Sequence, residues 1–385
     1  MGRKKVKKQA NAAPPIAAAT AKSTANAPAT PSVVQYTVWD LLPKIDGLID
    51  ACSFDLARQF VDRALALTSS SNDGLQILLV HERAGLVALE QGDDAQAQQH
   101  FMQALAAPSH VLQDQAAHQW QEEQPWQKEN TQASCHLYLA QMADTPLEAL
   151  NHLTSAVSLL QSCLITLAKL PTRSDAEAEV RRRASRALVS MTELYLTDLC
   201  FDPRAESNSQ AHLALASEID PNDPEVYQTL ASVRLSQEKP IEAVEALRKS
   251  YALWKGCEPT DERMPSYKTR LGLVRLFVET ELYDDALEIL ASLEQEDDED
   301  PEVLYLIGFV STLCASKAPD VETRADWQEQ AYHSLEAAKQ LHASLQEIGY
   351  PEVEGDQEML IHIDELLASL PQPDQEEAED EEMTT

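Results

Sequence analysis

Residues 221–254 read PNDPEVYQTLASVRLSQEKPIEAVEALRKSYALW. Pro221 and Pro224 punctuate the start, and apolar residues then recur at Val226, Leu230, Val233 and Leu235, the spacing of one helix face. A polar break over 237–240 stops that helix. Pro240 stands where a second helix can begin, because the first helical position needs no N–H donor. Ile241, Val244, Leu247 and Tyr251 carry the second stripe. The packing positions follow an order of sizes: Tyr227, Leu230 and Leu247 are large, whereas Ala231, Ala243 and Ser250 are small. Two helices touch at their small residues, and bulk there would force them apart. The stretch predicts a helical hairpin.

In that order of sizes the hairpin resembles a tetratricopeptide (TPR) repeat. One such unit cannot bury its own apolar face, so others must flank it. The small residue of the second helix serves as a marker, four before a large residue and seven before another packing residue. It recurs as Ala57, Ala97, Ala149, Ser209, Ala243, Ala286 and Ala331. Ser209 and Ala243 stand 34 residues apart, the period of that family, whereas the other intervals run from 40 to 60. GDDAQAQQHFMQAL (92–105) is the next best copy, with Gly92 at the turn and Gly85 at the small position of its first helix. The expected fold is all-α: a right-handed superhelical TPR-like solenoid of about seven helical hairpins plus a C-terminal capping helix. Its uneven spacing predicts a fixed, dedicated shape.

Around this array the composition changes. Residues 1–31 form a basic tail without apolar periodicity, expected to be disordered, and its RKKVKK run (3–8) is either an import signal or a plain solvated tail. The repeat array is expected over 32–350, a capping helix over 351–370 (Met359, Leu360, Ile363, Leu366, Leu367, Leu370), and a disordered acidic tail over 371–385. The fold should begin near Asp40 as an N-cap, with Pro43 in the first turn and Val38 and Trp39 just before it covering the open end. Residues 108–130, with Trp120 and Trp126, read as an inserted short helix and loop packed onto the array. Arg181, Arg182, Arg183 and Arg186 follow Asp175, Glu177 and Glu179, which predicts an exposed face with local ion pairs.

The six cysteines are scattered with no CxxC, as expected of free thiols in a reducing compartment. No secretory signal, no stretch of about 18 apolar residues and no Asn-x-Ser/Thr acceptor is seen, so an intracellular, non-membrane protein is expected. Phosphate-loop, dinucleotide, zincin and nucleophile-elbow motifs are absent, and the ten histidines are isolated in sequence. We therefore expect no enzyme, no cofactor and no metal site.

The formal net charge of −34 points to a cationic partner and away from nucleic acid or anionic lipid. In a TPR array the first helix of each unit lines a concave groove. Counting along each first helix from the small positions places Glu82, Glu90, Tyr138, Tyr195, Asp198, Asp202, Glu225, Glu279, Glu302, Tyr305 and Phe309 there. Carboxylates mixed with rings suit an extended Arg/Lys-rich segment. A run of acids, Glu296, Asp297, Asp298, Glu299 and Asp300, occupies the turn before the seventh unit and is read as a further partner contact.

Three segments sharpen the reading: ELYDDALEIL (281–290), EDDEDPEVLYLIGF (296–309) and GDQEMLIHIDELL (355–367). Through them residues 32–370 resemble the dedicated fungal assembly chaperones of the fourth large-subunit ribosomal protein (uL4 type). The resemblance implies that the groove holds that protein's basic internal loop, and that the chaperone protects it from aggregation and degradation. It further implies escort from cytoplasm to nucleus for pre-60S assembly, with an import receptor engaged only indirectly. An acidic TPR histone chaperone, a scaffold subunit of a larger complex and a heat-shock co-chaperone are the rival readings; the last needs a basic groove.

Overall fold

The structure, a computed structural model of the chain, describes residues 36–69, 73–108, 115–170, 175–261, 263–347, 349 and 357–372. The RKKVKK run, the segment 351–356 and the acidic tail from 373 onward lie outside the described residues.

Among the described residues every regular element is an α-helix, and the helices pair into seven hairpins. They are α1 (Val38–Asp50) with α2 (Phe54–Thr68), α3 (Gly74–Glu90) with α4 (Asp94–Leu105), and, after the inserted α5 (Gln115–Glu123), α6 (Gln127–Gln141) with α7 (Pro146–Leu167). Then come α8 (Asp175–Leu196) with α9 (Ala205–Ile219), α10 (Pro224–Ser236) with α11 (Pro240–Ala252), and α12 (Tyr267–Glu279) with α13 (Tyr283–Glu296). The last pair is α14 (Pro301–Lys317) with α15 (Val321–Glu347), followed by α16 (Gln357–Ser369). Each hairpin stacks on the next: α2 meets α3, α4 meets α6, α7 meets α8, α9 meets α10, α11 meets α12 and α13 meets α14. First helices also meet directly, α8 with α10 and α10 with α12, which is the solenoid arrangement.

All seven marker residues are buried. They let the paired helices approach, and the large residue four positions on fills the space between them: Val61, Phe101, Leu153, Leu213, Leu247, Leu290 and Leu335 are buried too. In the second hairpin the contact is close enough to exclude any side chain opposite. A Cβ on Gly85 would lie 2.5 Å from the Phe101 ring. Phe101 in turn stacks on Tyr138 of α6, with ring centroids 5.0 Å apart. Gly308 repeats the arrangement in the seventh hairpin, where a Cβ would lie 2.5 Å from Leu335 Cγ. In four of the seven hairpins the chain takes a left-handed residue where the first helix turns into the second: Cys52, Gly92, Glu238 and Glu281 have φ between 51° and 76°.

The first helix starts earlier than Asp40. Thr37 is the N-cap, and its hydroxyl accepts from the Asp40 amide while the Asp40 carboxylate accepts from the Thr37 amide at 2.8 Å. This reciprocal pair satisfies two end donors, more than Asp40 alone could. Pro43 consequently falls inside the helix, one turn deeper than expected. Val38 and Trp39 belong to α1; Val38 is buried, and Trp39 packs against Trp120 of α5 with centroids 6.0 Å apart. The insertion thus packs onto the N-terminal hairpins, as its tryptophans suggested, and Ala117 is buried in their core. Residues from 127 onward belong to α6 rather than to the insertion, and 109–114 lie outside the described residues.

Helix α7 is long and apolar enough, by length and composition, to cross a membrane. It packs between α6 and α8, which bury Leu153, Ala156, Val157, Leu160, Cys163 and Leu167, while Leu147 and Ile165 stay exposed. At the far end α16 lies on α14 and α15 with Ile363 buried.

Candidate partner-binding groove

The first helices α6, α8, α10 and α12 share a face that carries two adjoining cavities. One, of about 380 Å³, lies between α6 and α8 with α7 as its floor. The other, of about 250 Å³, is lined by α8, α10 and the start of α12. Glu193 of α8 lines both. A larger cavity of about 520 Å³ lies at the edge where α8–α9 and α10–α11 turn back.

This face is bridged from helix to helix. Arg186 of α8 pairs with Glu225 of α10 at 3.1 Å, and Arg275 of α12 pairs with Glu302 of α14. Both glutamates directly follow the proline that opens their helix, so the two pairs occupy equivalent places. Arg183 donates to Asn130 and Ser134 of α6, each at 2.7 Å. Of the four arginines expected to make local pairs, Arg181 and Arg182 do so, with Glu177 and Glu179. Arg183 and Arg186 instead reach the neighbouring hairpins.

The aspartates between hairpins serve the backbone. Asp73, Asp223 and Asp300 are the N-caps of α3, α10 and α14, each accepting from the helix's first amides. Asp223 also accepts from Ser185 Oγ of α8 at 2.7 Å, and Asp300 from the Tyr267 hydroxyl of α12 at 2.8 Å. In the acidic run, Glu296 binds the buried Arg270 at 2.7 Å and Asp297 accepts from the Glu299 amide, which leaves Asp298 and Glu299 fully solvent-facing.

The predicted groove residues separate by environment. Glu82 is only 8% exposed and pairs with Arg83, which also holds Asp46 at 2.9 Å; burial raises the Glu82 pKa. Tyr195 is 6% exposed, accepts from Asn208 Nδ2 at 2.8 Å, and lines the edge cavity rather than the shared face. Tyr138 is half-buried on Phe101. Asp198 and Asp202 lie beyond α8 in its turn, with Asp202 paired to Arg204 at 3.2 Å. Tyr305 and Phe309 are capped by His362 of α16, whose Nδ1 lies 2.8 Å from the Tyr305 hydroxyl. Glu90 and Glu279 are exposed and carry no ion pair.

Glu193 is the residue that helix-face counting missed. It is solvent-exposed and unpaired, yet the surrounding walls and the nearby Glu225 raise its pKa. Desolvation likewise raises that of Glu225. Two carboxylates so placed gain from a cation that comes between them. The signal lay in the run Arg186, Ser190, Glu193 along α8 and Thr197 just past its end, polar residues at helical spacing that line one cavity.

Four of the ten histidines meet in pairs. His81 and His100 approach to 3.0 Å between their Nδ1 atoms across the second hairpin, and His136 and His152 to 2.9 Å across the third. Burial and the facing ring lower the His81 pKa to about 4.

Comparison with known proteins places this architecture. No family model matches the chain. A probable assembly chaperone of rpl4 from Schizosaccharomyces pombe is 28% identical over 295 residues, which cover 75% of this chain and 79% of that protein. Its counterpart from Emericella nidulans is 34% identical over 183 residues, 46% of this chain and 48% of that protein. The chain is similar to these two fungal proteins named probable assembly chaperones of rpl4. A solved structure, the assembly chaperone of RpL4 (Acl4) over its residues 1–338, superposes with a TM-score of 0.62 at 27% identity, covering 73% of this chain and 98% of that one. The TPR-like solenoid and the resemblance read from 281–367 thus agree with independent relatives.

Proposed function

We propose that this chain is a dedicated chaperone for ribosomal protein L4, holding a basic segment of it along the face formed by α6, α8, α10 and α12. The observation that carries the reading is the placement of Glu193 and Glu225, carboxylates held between cavity walls on a chain of net charge −34. The relatives' shared name supplies the partner. A ribosomal protein segment evolved to meet rRNA phosphates is sticky and unfolded when alone. An acidic face stands in for the phosphate field, protects the segment from aggregation and degradation, and yields to rRNA because the contact is salt-sensitive. Binding takes place without catalysis. The protein works in cytoplasm and nucleus, since ribosomal proteins are made in the first and built into pre-60S particles in the second.

The test is co-purification of L4 with the full chain at low and high salt. L4 is expected to be retained at low salt and released at high salt. Reversing Glu193 and Glu279 to Lys should weaken retention at least tenfold, at about 1 kcal/mol or more per reversed charge, with the melting temperature nearly unchanged. Unaltered retention would move the site off this face. Capture of histones in place of L4 would replace the reading with a histone chaperone.

A further inference from the structure

The slot between α6 and α8 is built unlike the rest of the face. Ala149 and Leu153 of α7 form its floor, and Leu137 and Ala140 of α6 and Ala187 and Leu194 of α8 form its walls. At its rim the cations are already held: Arg183 by Asn130 and Ser134, Arg186 by Asp223 and Glu225. Glu193 stands at the same rim without an ion pair. The three remaining residues that line the slot, Gln141, Ser190 and Thr197, add no carboxylate. The slot therefore presents an apolar interior beside one free negative charge.

A segment recognised by charge alone would leave this interior wet, forfeiting the gain of burying it. We propose that the slot seats one large apolar side chain (Leu, Met or Phe) of the bound basic segment, with a Lys or Arg within two residues of it taken by Glu193. The inference rests on the proposed function and gives it a specificity element. Coulombic contacts along the face favour any basic chain and fade with salt, whereas an apolar anchor reads the sequence and does not. Many basic proteins could visit the face, and the one with the correctly spaced anchor would stay.

The experiment uses the full chain and two short synthetic peptides of Arg, Lys, Gly and Ser, identical except for a central Leu or Ser between arginines. Binding is followed by fluorescence anisotropy. The Leu peptide is expected to bind about tenfold tighter, the gain of burying one aliphatic side chain, and to keep that ratio as salt lowers both affinities. Ser190→Phe, which fills the slot from α8, should bring the Leu peptide down to the Ser peptide. Leu137→Ser, which removes an apolar wall without adding bulk, should do the same, so a folding defect in one variant does not decide the matter. Equal binding of the two peptides by the unaltered chain would overturn the slot while leaving the basic-partner reading standing. If neither peptide binds at low salt, the basic-partner reading fails, and the slot with it.

Discussion

Replacing single glycines by alanine gives a graded test of the hairpin geometry that aims the first helices. In a helix interior Gly→Ala stabilises by about 1 kcal/mol if the new methyl meets nothing. Gly47, inside α1, has no heavy atom within 4 Å of its would-be Cβ, so G47A should gain nearly that amount. At Gly85 the same methyl would lie 2.5, 2.7 and 2.7 Å from three atoms of the Phe101 ring. Phe101 is fully buried and stacked on Tyr138, so it cannot retreat without disturbing α6. Overpacking costs about 1–3 kcal/mol, and a 2.5 Å contact with a ring that cannot retreat falls at the upper end, about 2–3 kcal/mol, leaving G85A destabilised by roughly 1–2 kcal/mol after its propensity gain of about 1 kcal/mol. The two variants should thus move in opposite directions, about 2–3 kcal/mol apart, or on the order of 1 M in urea midpoint. G308A should follow G85A, because Leu335 is equally buried. G272A meets only the side-chain nitrogen of Gln228 at 3.1 Å, and shifting that group from its bond to the Thr269 carbonyl offsets the propensity gain, so it should be near neutral. Far-UV circular dichroism gives the helical transition. A rise in midpoint for G85A matching that of G47A would refute the packing of α3 on α4.

Acid should loosen the second and third hairpins. Burial lowers the pKa of His81, His100 and His136, that of His81 to about 4, while their unfolded value is near 6.5. The unfolded chain then binds more protons between these values, so stability is complete above pH 6.5 and declines as pH falls toward 4. Raised carboxylates such as Glu82 act in the opposite sense, so the comparison is with a His81→Gln, His136→Gln variant. The unaltered chain should lose about 1 kcal/mol more between pH 7.5 and 5, and parallel profiles would count against the pairs. Glu238 sits at φ 58° in a turn where the second hairpin has Gly92, so Glu238→Gly should stabilise by about 1 kcal/mol in urea unfolding.

The hairpins were legible because their signal is local. A small residue, then a large one four positions on, is what two touching helices require, and each marker from Ala57 to Ala331 is buried accordingly. What failed was register. Tyr195 and Glu193 are two residues apart, about 200° around a helix, so a small counting error along α8 exchanges the core face for the groove. Glu82 was placed in the groove as an acid, yet nothing in its own segment shows that Arg83 would join it, buried, to the half-exposed Asp46 of α1. The N-cap went to Asp40 because it, too, is a capping residue; the choice depends on Thr37 receiving and returning a bond. The histidine pairs join residues 19 and 16 apart across a turn, a separation no helical period predicts.

Net charge overstates what the face offers a partner, because the chain has already spent much of its acid on itself. Asp223 and Asp300 cap helices, Glu296 holds Arg270, and Glu225 and Glu302 are bridged by arginines of the preceding first helix. Those bridges occupy the sites a partner's arginine would need, so they act as placeholders that an incoming guanidinium must displace. Arg275 is the cleaner case: it is more than half exposed and its ion-pair partner is Glu302. Arg275→Gln removes the competitor and leaves a hydrated carboxylate, at a stability cost below about 1 kcal/mol for a surface pair. If the face binds basic segments, this loss of a positive charge and release of a negative one should tighten L4 binding about threefold to tenfold, most at low salt. Titration of L4 into the variant at two salt concentrations measures it. Weaker binding would mean that Arg275 itself touches the partner, and the face would then read an acid at that point.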